Sequence, residues 1–294
     1  MSFLRRPTGE SIQLQNLYSG MSCFISGTGP SLNTLDLSLL NAPGIMTMGI
    51  NNAWSKVPVD IMVCQDPPGR FLGWGWMNPR IMKLCPFARR NDFIRTKNKR
   101  GEFVEIGLTP SDTPNTYLFE RDLRFNPKTF LDHRSLNWGC TNGKGQKCGK
   151  RRSFKDQNTL ISTFQIAHYF GFQKIFLIGV DFTMSENQPY AFEQHKNPKA
   201  CNNNNHSYKR IINQVRAIKP RLENDGMEIF NCNKESRLDC FEHISYEDAV
   251  DYAKLWEKED SVYWYNWKDD PKNKYEAKEK DGNIKTFYKK VEKN

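Results

Sequence analysis

Three observations in this 294-residue chain predict an α/β fold with a doubly wound, mainly parallel sheet. Short apolar runs of strand length recur along it, several of them ending in glycine, asparagine or an acid. Between residues 158 and 182 a helical apolar face (Leu160, Ile161, Phe164, Ile166, Ala167, Phe170) stops at Gly171 and passes directly into the strand KIFLIGVDF. A further helical stretch and the short strand MEIFNC then follow, and alternation on this scale argues for a mainly parallel, doubly wound sheet.

The first unit opens with Cys23, Phe24 and Ile25 and runs into FISGTGPSL, residues 24 to 32. Gly27 and Gly29 permit a tight turn and keep side chains away from a ligand, while Ser31 can cap a following helix and leave amide N–H groups facing outward. The spacing is neither a full GxGxxG nor a Walker A loop, so an ordinary glycine turn is the alternative. Leu32, Leu35, Leu37, Leu39 and Leu40 suggest a short helix, and GIMTMGI is a second strand ending in Asn51 and Asn52. A third strand lies in VDIMVCQDP, residues 59 to 67, ending in Gln65, Asp66 and two prolines. In open α/β sheets ligands collect at this carboxyl edge.

Residues 69 to 157 read as a basic insert or lid between the two parts, 1–68 and 158–250, of a nucleotide-binding domain. The insert holds two cationic clusters. The first includes Arg89, Arg90 and Arg95, and the second includes Lys150, Arg151 and Arg152. Interleaved aromatics (Phe71, Trp74, Trp76, Trp138) make this a candidate surface for tracking a phosphate backbone and stacking a base. A second helix is expected over residues 207 to 223, and residues 251–294 form an aromatic and charged extension.

A hydrophobic content of 38% supports one good core, and a formal charge of +10 attracts polyanions and nucleotide phosphates. No run of about 18 apolar residues spans a membrane, and MSFLRRPTGE lacks the apolar core of a signal peptide, which gives the expectation of a cytoplasmic protein. The eight cysteines contain no CxxC pair and are expected to be reduced thiols.

SGTGPSL at 26–32, GINNAW at 49–54, the block ISTFQIAHYFGFQKIFLIGVDF, then YAFEQ, His206 and EIFNC occur in the order seen in a glycosyltransferase superfamily. The chain resembles the family typified by bacterial sialyltransferases and the related flagellin-modifying proteins. That resemblance implies a Rossmann-like variant of the GT-A fold and a nucleotide sugar as co-substrate. The reading that follows is an inverting transfer to a hydroxyl acceptor, and because no DxD motif appears near the predicted crevice (Asp269 and Asp270 lie in the tail and do not make one) a mechanism without metal or other cofactor is expected. By position the resemblance makes His206 the base that deprotonates the acceptor, a role for which imidazole titrates in the useful range. It likewise assigns Gly27, Thr28, Gly29, Ser31, Asn51 or Asn52, and Tyr190 to the donor. Gln65, Asp66 and Asp181, at neighbouring strand ends, join that set. The family's second tyrosine is Thr183 here, which puts the number of donor phosphates in question.

The residues leave alternatives beside each assignment. His206 can be a solvated histidine in NNNNHSY, and His195 competes with it as base. Asn51 and Asn52 can be strand-end caps. The expected acceptor is a hydroxymethylated pyrimidine in DNA, with an acidic glycan or lipooligosaccharide as competitor. Two other classes are a phosphotransferase like the archaeal pterin diphosphokinases, which the same superfamily also resembles, and a non-catalytic nucleic-acid-binding module.

Overall fold

The computed structural model describes residues 4–97, 102–121, 126–132, 158–192 and 198–254. Nine strands form one sheet: β1 (Leu4–Arg5), β2 (Ser22–Ser26), β3 (Thr47–Ile50), β4 (Ile61–Val63), β5 (Met82–Pro86), β8 (Thr116–Phe119), β9 (Lys174–Ile178), β10 (Glu228–Asn231) and β11 (Glu242–His243). Their order across the sheet is β1-β8-β5-β4-β3-β2-β9-β10-β11, parallel throughout except for β1 against β8. β6 (Arg95–Lys97) and β7 (Phe103–Glu105) form a separate antiparallel pair.

The central strands are buried on both faces, where continuous apolar runs replace alternation. In β2, Cys23 and Ile25 enter one core and Phe24 the other. The first core is covered by α2 (Thr159–Tyr169) and α3 (Pro198–Asn224), through Phe164, Ile211, Val215 and Ile218. The second is covered by the β2–β3 connection, through Leu32 and Leu40, and by α4 (Tyr246–Lys254), through Tyr246, Ala249 and Val250. A short helix, α1 (Gly73–Met77), packs its Trp76 into the second core.

The predicted borders of α2 hold closely, whereas the strand read as KIFLIGVDF ends at Ile178, before Asp181, and the helix expected over 207 to 223 already begins at Pro198. Asn158 caps α2, its side chain accepting from the Leu160 and Ile161 amides at 2.8 and 3.3 Å. The helix ends before Gly171, whose φ of +86° and contact with the Asn16 and Ser19 backbone leave no room for a side chain. The leucine run at 32–40 differs from expectation. It makes two 3-10 turns, Pro30–Thr34 and Leu37–Asn41, because Asp36 accepts from the Ser38 amide and starts a second turn.

The region read as an insert is also different. β5 and β8 are integral strands of the main sheet, and among the described residues of 69–157 the excursion around β6 and β7 stands apart from it. The sequence from β2 runs outward through β3, β4, β5 and β8 on one side, and from β9 through β10 to β11 on the other. The direction reverses between β2 and β9. No described helix is long and apolar enough to cross a membrane.

Candidate functional site at the carboxyl edge

The parallel strands bring the turn after β2, the Asn51 turn after β3, Gln65 after β4, Arg89 after β5, Arg121 after β8 and Asp181 after β9 to one edge. The reversal between β2 and β9 is where an open α/β sheet leaves a crevice. Here the protein's own groups fill much of that crevice.

Asp181 is buried and accepts from the Ser31 amide at 3.0 Å, from the Ser31 hydroxyl, and from Asn233 Nδ2 at 2.9 Å. The carboxylate therefore occupies the amide end that a phosphate would use. The glycines serve the same packing. The Gly27 and Gly29 amides donate to Ile178 and Gly179 carbonyls at 2.8 Å. A Cβ on Gly27 would meet the Gly179 oxygen at 2.3 Å, and one on Gly29 would meet the Asp181 carboxylate at 2.5 Å. Gly27, Gly29, Ser31 and Asp181 thus join strand end to strand end. A hollow of about 40 Å³ remains beside them, lined by Ser31, Thr34, Leu35, Gly179 and Asn233 among others.

The segment carrying Tyr190 is tied to this turn, since the Ala191 amide donates to the Thr28 carbonyl at 3.0 Å. Tyr190 stacks on Phe192 with ring centres 5.5 Å apart. From α3, Asn205 holds the same segment through Met184, accepting from its amide and donating to its carbonyl at 2.9 Å. Tyr208 packs on Phe182 at 5.0 Å, within electrostatic range of Tyr190 and Asp181, and burial raises its phenol pKa well above the ordinary value. His206 lies two residues earlier, about 200° round the helix, and is exposed. Its ring is on the side of α3 away from Tyr208, so the burial pattern lends the base assignment no support; His195 lies outside the described residues. Tyr208 carries no motif. Only the phase of α3 marks it as inward.

At β3, β4, β5 and β8 the situation reverses. Among the described residues, the buried side-chain atoms without a hydrogen-bond partner there include Asn51 Oδ1, Gln65 Nε2 and Oε1, Arg89 Nε, and Arg121 Nε and Nη2, with the Trp54 indole nitrogen beside Asn51 also unpartnered. Gln65 is only 1% exposed. Native proteins seldom leave such groups unpaired, and each costs about 1–3 kcal/mol. Asn51 adopts φ +56°, a left-handed conformation that asparagine tolerates. Asn52 is committed to the fold, its Oδ1 accepting from the Leu72 amide at 3.3 Å. Asp66 pairs with Arg70 and Arg89 with Asp92, both at 2.9 Å. Burial lowers the Arg121 pKa to about 10, the neighbouring Arg89 charge adds to that, and Asp66, Cys85 and Asp92 act against it. Sequence reasoning missed Arg121, an isolated arginine in FERD.

Of the expected polyanion surface, the described residues include Phe71, Trp74, Trp76, Arg89, Arg90 and Arg95. Phe71 and Trp76 are buried core residues and cannot stack a base, whereas Trp74 and Phe93 are 38% and 51% exposed. Arg95 pairs with Glu105 at 3.0 Å, and Arg90 lies over the Phe87 ring at 4.0 Å. These two members of the first cationic cluster are thus already engaged within the protein. Trp138, Lys150, Arg151 and Arg152 lie outside the described residues. Among the described residues no three His, Cys, Asp or Glu side chains are grouped to hold a metal ion, and six cysteines are free thiols. Comparison with protein-family models, with curated proteins and with solved structures finds no match to this chain.

Proposed function

We propose that this protein is a nucleotide-sugar-dependent glycosyltransferase that moves a sugar to a hydroxyl acceptor at the carboxyl edge of its sheet. The observation that carries the reading is the pair Asn51 and Gln65, of which Asn51 Oδ1 and both Gln65 amide atoms lie buried and without partners among the described residues at the ends of adjacent parallel strands. A ligand rich in hydroxyl and amide groups supplies the missing partners, and an activated sugar nucleotide is such a ligand. Arg89 and Arg121 beside them supply positive charge where a leaving phosphate develops negative charge. The donor then lies over β3 and β4 and not in the glycine turn, whose amides already bond to the protein.

The reaction is a single displacement with inversion. The acceptor oxygen attacks the anomeric carbon, the bond to the nucleotide phosphate breaks, and the hydroxyl proton passes to a base. The acceptor in this reading is a hydroxymethylated pyrimidine in DNA, for which exposed Trp74 and Phe93 offer stacking surfaces.

A panel of nucleotide sugars with hydroxymethylated DNA or a glycan, read by product mass, tests the proposal. Mass gain equal to one sugar, retained in EDTA, is the expected result. No gain on either acceptor, with ATP consumed only in the presence of Mg²⁺, would replace it by phosphoryl transfer. Substitution of His206 by Ala is expected to leave turnover within about threefold, an effect below 1 kcal/mol in barrier height.

A further inference from the structure

Two arginines with buried donor atoms that lack partners among the described residues, Arg89 and Arg121, lie within electrostatic range of each other beyond β5 and β8, and Gln65 follows β4, the next strand in the sheet. We infer that Arg121, Arg89 and Gln65 form a subsite for a phosphate ester whose carbon skeleton carries a hydroxyl group. The inference takes from the proposed function only the question of which substrate brings the phosphate.

The atoms left over define the ligand. Arg121 has Nε and Nη2 unpartnered, which together make the side-on edge of a guanidinium. That edge matches two oxygens of one oxyanion in a bidentate pair. Arg89 uses Nη1 on Asp92 and leaves Nε, and Gln65 Nε2 is the fourth donor. Four donors suit the three terminal oxygens of a phosphate monoester better than the two of a carboxylate. Gln65 Oε1 is the one acceptor in the set. A fully ionised phosphate offers it no proton, so the ester's carbon skeleton must supply a hydroxyl.

The surrounding charges agree. Two guanidinium groups influence each other here, and the carboxylates in range, Asp66 and Asp92, already bond to Arg70 and Arg89. Gln65 is two strands from β2 and Arg121 four, which at the usual strand spacing is about 10 and 19 Å from the glycine turn. The subsite is therefore separate from that turn.

Calorimetric titration of the full chain with inorganic phosphate, glucose 1-phosphate and UDP tests the inference. Wild type is expected to bind at least one ester, and Arg121→Met to weaken that binding by about tenfold or more. Gln65→Leu is expected to weaken ester binding more than inorganic phosphate binding. Arg216→Met, at an exposed pair with Asp239, serves as the control. Should Arg121→Met not fold, Arg121→Lys keeps the charge and loses the two-point edge, and the same weakening is expected. Sensitivity confined to UDP assigns the phosphate to the donor; sensitivity confined to glucose 1-phosphate assigns it to a phosphorylated acceptor. Wild-type affinity in Arg121→Met and Arg121→Lys, or no binding by wild type, overturns the inference. Sugar transfer by wild type with kcat/KM unchanged in Arg121→Met removes the subsite and leaves the proposed function. Arg121-dependent binding without transfer from any nucleotide sugar does the opposite.

Discussion

Two parts of the carboxyl edge, at β2 and β9 and from β3 to β8, use similar polar chemistry in opposite ways. Between β2 and β9, Asp181 accepts from Ser31 and Asn233, and the glycine amides bond to the neighbouring strand end. Between β3 and β8, Asn51, Gln65, Arg89 and Arg121 keep buried atoms without partners. A polar group with all its bonds made to protein stabilises the fold; one with bonds unmade costs stability that a ligand can return. The glycine turn, which looks most like a ligand site in the sequence, is thus the structural part, and the plainer part is the candidate for binding.

Removing Asp181 is the strongest way to break this contrast. Asp181→Ala leaves Ser31 and Asn233 donors unsatisfied around a buried gap, and a loss on the order of 5 kcal/mol is expected in urea unfolding. A loss below about 1 kcal/mol would mean that the carboxylate is held for a ligand after all.

Lys83 sharpens the contrast, because it is a buried cation near the opposite edge. It is fully buried in β5, donates from Nζ to the Asn78 carbonyl at 2.7 Å, and burial lowers its pKa to about 7. The unfolded chain holds that proton up to the ordinary lysine range, near 10.5. Between these values the unfolded state binds more protons, so stability rises as pH increases from about 7 to about 10.5. The full penalty applies below pH 7, on the order of 4 kcal/mol. Lys83→Met is expected to flatten that slope and to stabilise the protein at pH 6, measured by denaturant unfolding across the range. An unchanged slope would remove the penalty from Lys83.

The smallest effect is expected at Gln65. Gln65→Leu replaces an unpartnered amide with an apolar group of similar length, and unliganded stability should stay level or rise by about 1 kcal/mol. A loss of more than about 2 kcal/mol would show that Gln65 is a structural group and return the β4 end to the same class as the β2 end.

Elements with strong local signals are legible in the amino-acid sequence. Asn158 and Gly171 bound α2 because a cap and a left-handed stop act within a few residues. β5 and β8 are not legible as sheet strands. They are five and four residues long, one contains Lys83, and their strand character comes from pairing with each other and with β4. The leucine spacing at 32–40 mimics one helix, since apolar periodicity does not register the Asp36 side chain starting a new turn. Within the candidate site, Asn51 and Gln65 stand out as polar ends of apolar strands. Arg121 does not, because nothing near it in sequence separates it from other surface arginines.

By itself the sequence determined an α/β chain with a mostly parallel sheet, the borders of α2, and the edge where its polar strand ends collect. These follow from short-range periodicity, capping and turn chemistry. That Asp181 fills the glycine turn and that Arg121 comes within electrostatic range of Arg89 is set by the packed sheet. Both depend on strand order, and a hydrogen bond or a charge pair between distant segments exists only once the sheet has set their separation.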